Sequence, residues 1–190
     1  MSQDPNPLSP ASRKVLLVNG TPASGKTTIA ESLVETLHIP LISLDRIKVA
    51  LFDTLGIGDR EYNRTLGRAS MAIIWSLLLD TPRQSTTIVE AWFKFPPFDP
   101  IIQSLAQAGV TRYAEVWCYA TPDVLAQRYT DRVGLRHPGH PGVEYVSELR
   151  QVALRAAPMS IGPVLSVDTT DPTQVDLPAI AHWVAETLEL

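Results

Sequence analysis

The chain has 190 residues, of which 45% are hydrophobic, and a formal net charge of −4 at pH 7. This length suits one α/β domain with its own core, and the acidic charge disfavours a nucleic-acid backbone as partner. A single cysteine excludes a disulfide framework within the chain, and no apolar run is long enough to cross a bilayer, so a cytoplasmic protein without membrane attachment is expected.

The predicted elements alternate between strands and helices. Residues 1–12 are polar and proline-rich and are expected to form a disordered leader, with one domain covering 13–190. Apolar β-branched runs predict strands at about 15–18, 40–44, 86–91, 112–118 and 164–167. Helical spacing predicts a first helix that ends near 38, others at about 45–55, 59–79, 98–107, 143–156 and 174–188, and one that opens at 121. This order predicts a five-stranded parallel sheet with helices on both faces.

The segment Gly20–Thr27 matches the phosphate-loop pattern G-x-x-x-x-G-K-[ST] at every defined position. It lies between the first predicted strand and helix, where backbone N–H groups and the helix N-terminus can face a polyphosphate. Lys26 would add a positive charge, and the Thr27 hydroxyl would be a ligand for Mg²⁺. The expected nucleotide-binding loop residues are Gly20, Thr21, Pro22, Ala23, Ser24, Gly25, Lys26, Thr27 and Thr28. The alternative, an accidental glycine turn, is disfavoured because pattern and context agree.

Acidic and aromatic side chains lie at the ends of the second and third predicted strands, where ligands of parallel sheets collect. Asp45 either orients and deprotonates an acceptor hydroxyl or only caps the helix that begins there. Glu90 either contacts a substrate hydroxyl or helps to hold Mg²⁺. Trp92 and Phe93 either form a platform for a ring or sugar or pack in the core.

Three arginines late in the chain are spaced by four residues, namely Arg128, Arg132 and Arg136. Gly134 is expected to break the helix that carries the first two and to place the third in a loop. Guanidinium groups suit phosphate recognition, but such a series also fits a solvated face paired with Asp123 and Asp131. His137 and His140 follow in the same loop, and because no further metal ligands accompany them, we expect them to shape the loop.

These pieces together resemble the small phosphate-loop kinases related to chloramphenicol phosphotransferase, the zeta toxins and the phage-type polynucleotide kinase. The resembling segments are Gly20–Thr27, Ser43–Lys48, Val89–Ala91, Arg128–Arg132 and Arg136–His140. The resemblance implies that Asp45 accepts the proton of the acceptor hydroxyl and that Lys48 contacts the substrate, whereas Lys48 taken alone fits a solvated lysine. It also implies an arginine-bearing lid segment, residues 128–142, in which one arginine lies near the nucleotide and another reaches the transferred phosphoryl group.

The sequence therefore predicts an ATP-dependent kinase with a three-layer P-loop kinase-like fold, monomeric or homodimeric, that uses Mg²⁺ and phosphorylates a hydroxyl of a small molecule. The expected catalytic residues are Lys26, Asp45, Arg128 and Arg132, with Arg128 and Arg136 also binding nucleotide. The expected acceptor contacts are Asp45, Lys48, Glu90, Trp92 and Phe93. Two alternatives stay open: a zeta-toxin-like or polynucleotide-end kinase, and a nucleotide-binding regulatory ATPase without a dedicated acceptor.

Overall fold

A computed structural model describes residues 12–190, so residues 1–11 of the expected leader lie outside the described residues. The strands and helices follow the predicted order, with two helices in succession after the second strand and again after the fourth. The strands are β1 (Arg13–Gly20), β2 (Leu41–Ser43), β3 (Thr86–Ala91), β4 (Val110–Tyr119) and β5 (Val164–Asp168). The helices are α1 (Lys26–Leu37), α2 (Leu44–Leu55), α3 (Arg60–Asp80), α4 (Asp99–Gln107), α5 (Pro122–Arg132), α6 (Val146–Arg155) and α7 (Leu177–Leu188).

The five strands form one parallel sheet in the order β2-β3-β1-β4-β5. The central strand β1 pairs with β3 on one side and β4 on the other, and residues 15–18 have no solvent exposure. Parallel neighbours require crossover connections, which the helices supply. The α/β fold predicted from the alternation of elements is therefore confirmed.

Apolar layers cover both faces of the sheet. On one face, α1 and α7 pack Leu33 and Val184 against β1 and β4. On the opposite face, α3 and α4 contribute Ile74 and Leu105 to a second cluster. The candidate site residues lie at the carboxyl ends of the strands, where ligands of parallel sheets collect. Between residues 12 and 190 no helix is long and apolar enough to cross a membrane.

Helix α2 begins one residue before the predicted position. Ser43 is its N-cap, and the Ser43 hydroxyl accepts a hydrogen bond from the backbone N–H of Arg46 at 3.5 Å. Asp45 lies within the first turn, so the alternative that this residue caps the helix is wrong. Its carboxylate is therefore available for another role at the edge of the sheet.

Candidate active site

The phosphate loop connects β1 to α1, and its backbone conformation depends on two glycines. Gly25 has a φ of +78°, a left-handed conformation that glycine adopts without strain. Gly20 lies so close to β4 that a Cβ at this position would be 2.4 Å from the carbonyl oxygen of Cys118. Helix α1 begins directly after the loop at Lys26, so the N–H groups of its first turn have no intrahelical partners and can bind an anion.

The residues after β5 support this loop from the side. The Thr169 hydroxyl lies 2.9 Å from the carbonyl oxygens of both Ser24 and Tyr119 and can donate to either. Arg128 in turn donates to the carbonyl oxygens of Thr169 at 2.7 Å and Thr170 at 3.3 Å. Arg128 therefore contacts the backbone that holds the phosphate loop.

Polar side chains from three elements meet at Glu90 beneath the loop. The Lys26 ammonium lies 3.5 Å from a Glu90 carboxylate oxygen. The same carboxylate accepts hydrogen bonds from the hydroxyls of Thr27 at 3.1 Å and Ser43 at 2.5 Å. Glu90 is only 1% exposed, and a carboxylate this deeply buried is costly unless such donors satisfy it.

The Thr27 hydroxyl and the Glu90 carboxylate are oxygen donors of the kind that Mg²⁺ prefers. Mg²⁺ is usually bound through one or two carboxylates together with substrate phosphates and waters. These two residues therefore fit an ion that arrives with a nucleotide. No cluster of three or more His, Cys, Asp or Glu side chains that could hold a metal exists in the described part of the chain.

Asp45 faces the phosphate loop across a cavity of about 70 Å³. The cavity is lined by loop residues 22–28 together with Asp45, Arg132 and Arg136. A guanidinium nitrogen of Arg136 lies 3.2 Å from an Asp45 carboxylate oxygen. Burial by itself would raise the pKa of Asp45, but Lys26, Arg136 and further nearby cations outweigh this effect and hold the pKa below its usual value. The carboxylate is therefore ionised at neutral pH.

The three arginines of the lid segment do not pair with Asp123 or Asp131, although Arg132 is exposed. Helix α5 ends at Arg132 and a 3₁₀ turn at 133–135 follows. Asp123 pairs with Arg150, and Asp131 accepts a hydrogen bond from Gln127 at 2.8 Å. Neither acidic residue takes one of the three arginines as its ion-pair partner, which favours the role of this segment as a lid.

The rest of the lid segment rests on α2. The ring of Phe52 stacks on His137, with centroids 5.1 Å apart and an interplanar angle of 4°, and meets His140 edge-on at 5.4 Å. A Cβ on Gly139 would lie 2.6 Å from the Phe52 ring, so only glycine allows this approach. The Asn63 side-chain amide donates to the Gly139 carbonyl oxygen. The two histidines therefore shape the loop, as the sequence predicts.

The neutral ring of His140 makes the stability of this arrangement depend on pH. Burial, followed by the charge of Arg136, lowers the pKa of His140 from 6.5 to about 4. Between pH 6.5 and about 4, the His140 ring binds a proton more readily in the unfolded chain than in the folded protein. The contribution of the neutral ring to folding stability is therefore complete above pH 6.5 and is lost as the pH falls. We expect the melting temperature to fall between pH 7 and pH 5, and to fall less in His140→Asn.

The exposed His182 provides the control for that experiment. Among residues 12–190, its ring pairs with Glu186 on the same helix, 3.3 Å away. His182→Asn should therefore keep the parental pH dependence of the melting temperature. Equal losses in the parent and in His140→Asn would contradict the assigned role of His140.

The remaining expected acceptor contacts lie in different environments. The Lys48 ammonium donates to the Asn63 side-chain oxygen at 2.6 Å, outside the cavity lined by the loop. Trp92 lies at the end of β3 with a buried indole N–H that has no hydrogen-bond acceptor among the described residues. Phe93 is 5% exposed and packs in the core, with its ring 6.5 Å from that of Trp75. Of the two uses considered for Phe93, the structure shows core packing.

A buried carboxylate that sequence analysis missed organises the loops above the sheet. Glu115 accepts hydrogen bonds from the Asn19 side-chain amide at 2.8 Å and from the backbone N–H groups of Met159 at 3.0 Å and Ser160 at 3.1 Å. The Asn19 side-chain oxygen accepts from the backbone N–H of Phe93 at 3.2 Å. This network joins the end of β1 to the segments after β3 and α6. An acidic residue within an apolar strand was the only sequence signal for it.

Comparisons with known proteins agree with this geometry. A family model described as an AAA domain matches residues 15–144. A structure from Chloroflexus aurantiacus J-10-fl, provisionally assigned as a kinase, is 33% identical over 94% of this chain and 99% of that chain, with a TM-score of 0.82.

More distant structures share the fold alone. A gluconokinase from Sinorhizobium meliloti 1021 is 22% identical over 95% of this chain and 92% of its own, with a TM-score of 0.55. A shikimate kinase from Bacteroides thetaiotaomicron is 20% identical over 94% and 99%, with a TM-score of 0.56. No curated protein matches the chain. The chain belongs to the AAA domain family and has the phosphate-loop kinase fold.

Proposed function

We propose that the protein is an ATP-dependent kinase that transfers the γ-phosphoryl group of ATP to a hydroxyl of a small molecule. The observation that carries this proposal is the cavity in which Asp45 faces the phosphate loop beside Arg132 and Arg136. Phosphoryl transfer needs little covalent chemistry from a protein beyond positioning, charge stabilisation and a group that orients the acceptor hydroxyl. The similarity to the 33% identical structure that is provisionally assigned as a kinase supports the same reaction class.

In this mechanism the phosphate loop and the side chains around Glu90 bind the nucleotide and its metal ion. Backbone N–H groups of the loop would bind the phosphates, and the Lys26 ammonium would contact the β- and γ-phosphates. Thr27 and Glu90 would hold Mg²⁺, and this ion would supply positive charge to neutralise the phosphates. We favour this role of Glu90 over contact with the acceptor because its carboxylate is buried beside Lys26 and Thr27.

In this mechanism Asp45 binds and deprotonates the acceptor hydroxyl. Its ionised carboxylate accepts a hydrogen bond from the acceptor hydroxyl, orients that oxygen towards the γ-phosphorus, and takes the proton as the new bond forms. The Asp45–Arg136 pair has to loosen for this contact to form. The γ-phosphoryl group would provide an alternative anionic partner for Arg136, because Arg136 and the phosphate loop line the same cavity.

Different effects are expected from two arginines of the lid segment. Arg132 lines the cavity, so Arg132→Ala should lower kcat by about 10²-fold, with a smaller change in ATP affinity, because its charge is needed most in the transition state. Arg128 supports the loop through Thr169, so Arg128→Ala should mainly weaken ATP binding. Steady-state kinetics with varied ATP and calorimetric ATP titration separate the two effects.

Arg83→Ala provides the control for these variants, because Arg83 is exposed in the connection between α3 and β3. It should retain the parental kcat and ATP affinity. Negligible changes of kcat and ATP affinity in both lid variants would contradict the roles assigned to Arg128 and Arg132.

The proposed function is tested by a screen for acceptor-dependent ADP formation. The panel contains hydroxylated metabolites, nucleotide sugars and a short oligonucleotide with a free 5′ hydroxyl. We expect a small-molecule hydroxyl compound to stimulate ADP formation and to be recovered as a phosphate ester. Transfer only to nucleotide sugars or to the oligonucleotide end would favour the zeta-toxin-like or polynucleotide-end alternative. Nucleotide binding without transfer to any compound would favour a regulatory ATPase.

A further inference from the structure

The buried side chain of Asn19 lies at the junction between β1 and the phosphate loop. Asn19 directly precedes Gly20, the first residue of the loop pattern, and has no solvent exposure. In the sheet it pairs with Ala91, the last residue of β3. The chain leaves the sheet after Ala91, and the backbone N–H of Phe93 then donates to the Asn19 side-chain oxygen at 3.2 Å. This side chain therefore extends the connection between β1 and β3 beyond the end of the sheet.

The carboxylate of Glu115 determines which way the Asn19 amide points. It accepts a hydrogen bond from the amide nitrogen at 2.8 Å. A carboxylate only accepts hydrogen bonds, so the donor end of the amide has to face it. The amide oxygen is then directed at the N–H of Phe93. Rotation of the amide by half a turn would place two acceptors together at Glu115 and two donors together at Phe93.

The same carboxylate fixes the segment that follows α6. The backbone N–H groups of Met159 and Ser160 donate to Glu115 at 3.0 Å and 3.1 Å. Ser160 has a φ of +54°, a conformation that a residue other than glycine keeps only when its surroundings favour it. The Met159 side chain belongs to the same apolar cluster as Phe93. A buried carboxylate whose donors are all in place favours a single arrangement of the segments that supply them.

We propose that Asn19 is a positioning residue that fixes the segment after β3 to the phosphate loop, with Glu115 orienting its amide. The proposal rests on the proposed kinase function, in which the loop holds ATP and Trp92, the residue before Phe93, lies on the acceptor side. Neither Asn19 nor Glu115 lines the cavity between the loop and Asp45, so both act through the backbone. Transfer requires the hydroxyl and the γ-phosphorus to be aligned, and a displacement of about 1 Å can lower the rate about 10²-fold.

The phosphate loop keeps its other supports when the Asn19 side chain is shortened. Backbone pairing of β1 with β4 continues to Gly20, and the Thr169 hydroxyl still lies 2.9 Å from the Ser24 carbonyl oxygen. The loss therefore falls on the segment after β3, because the Phe93 N–H is left without its acceptor. We expect acceptor-dependent transfer to suffer more than the affinity for ATP.

Hydrogen exchange at the Phe93 amide measures the structural part of this role. In the parent the amide should exchange slowly, and Asn19→Ala should accelerate its exchange about tenfold, the effect of one ordinary hydrogen bond. Calorimetry with a non-hydrolysable ATP analogue and Mg²⁺ should give an affinity within about threefold of the parental value, since the loop N–H groups remain. Fast exchange in the parent, or unchanged exchange in folded Asn19→Ala, would overturn the proposal.

Kinetics measure the functional part of the role. The acceptor is the compound with the highest ADP yield in the screen described above, and hydrolysis of ATP by water is measured beside it. Asn19→Ala should lower kcat/KM for this acceptor about tenfold or more relative to hydrolysis, because water needs no contact with the segment after β3. A loss of folded protein would lower both rates equally, and equal losses would overturn the proposal.

Glu115→Gln is the matched variant within the network. Its side-chain oxygen can take the place of Glu115 Oε1 and accept from both Asn19 and Met159. Only the N–H of Ser160 then loses its acceptor. This variant should lower the melting temperature but keep a larger share of acceptor-dependent transfer than Asn19→Ala. Equal losses of transfer in the two variants would overturn the role of the hydrogen bond between Asn19 and Phe93.

Ser70→Ala is the control for the loss of a buried hydrogen bond outside the network. The Ser70 hydroxyl donates to the Leu66 carbonyl oxygen within α3, so this variant should change the melting temperature and not the ratio of transfer to hydrolysis. If no compound accepts phosphate, the kinase function is overturned independently of Asn19. Faster exchange of the Phe93 amide at an unchanged analogue affinity would then still support Asn19 as the link between the two segments.

Discussion

Replacing Lys26 with alanine is expected to lower ATP turnover by about 10²- to 10³-fold, the usual loss when one stabilising donor is removed from a transition state. Lys26 is the first residue of α1, and its ammonium lies 3.5 Å from Glu90. We expect this ammonium to stabilise the negative charge that develops on the transferred phosphoryl group. Backbone N–H groups of the loop remain in the variant, so nucleotide binding should weaken less than turnover. ADP formation and calorimetric ATP titration measure the two effects.

The same substitution removes the cation beside a buried carboxylate. Glu90 keeps the hydroxyl donors of Thr27 and Ser43, so we expect a stability loss of about 1–3 kcal/mol and a folded protein. Lys26→Met preserves more of the apolar stem and should show the same kinetic defect. Lys14→Ala, a lysine outside the site, should behave as the parent. Undiminished turnover in folded Lys26→Ala would contradict the assignment of the phosphate loop.

Asp45→Asn is expected to reduce phosphoryl transfer by about 10²- to 10⁴-fold, because the amide cannot accept the hydroxyl proton. Ser43 rather than Asp45 caps α2, so helix capping is unaffected by the change. The pair with Arg136 involves an Asp45 side chain that is 46% exposed, and partly exposed pairs contribute about 0–1 kcal/mol. The melting temperature and ATP·Mg²⁺ binding should therefore stay close to those of the parent.

The measurement is acceptor-dependent ADP formation for Asp45→Asn beside the control Asp59→Asn. Asp59 caps α3 by accepting from the Tyr62 N–H at 2.8 Å, and asparagine caps almost equally well, so this control should keep parental activity. Transfer at the parental rate in Asp45→Asn would show that another group accepts the proton. Selective loss of ATP·Mg²⁺ binding would instead make Asp45 a residue of the metal site.

Local sequence was sufficient to predict the elements and the phosphate loop. Apolar periodicity and the turn residues between runs predicted the strands and helices within a few residues, because these signals depend on neighbours along the chain. The loop was predicted in full, since its glycines, Lys26 and Thr27 lie within eight consecutive residues. The strand-end rule directed attention to Asp45 and Glu90, because all carboxyl ends of a parallel sheet lie on one edge.

Only the tertiary structure decided which of these side chains meet. The contacts of Glu90 with Lys26 and Ser43 depend on the sheet order, which places β3 between β2 and β1. The pair between Asp45 and Arg136 joins residues 91 positions apart, and no local pattern encodes such a separation.

The choice between alternatives was likewise decided by packing. Phe93 had two equally reasonable uses in the sequence, and the contact of its ring with Trp75 placed it in the core. Glu115 lies within an apolar strand, and only the fold brings the three donors from distant segments to its carboxylate. The sequence by itself determined the elements and the phosphate-binding motif, which arise from short-range spacing. The partners of the charged side chains were decided by the fold, since burial and strand order bring distant residues together.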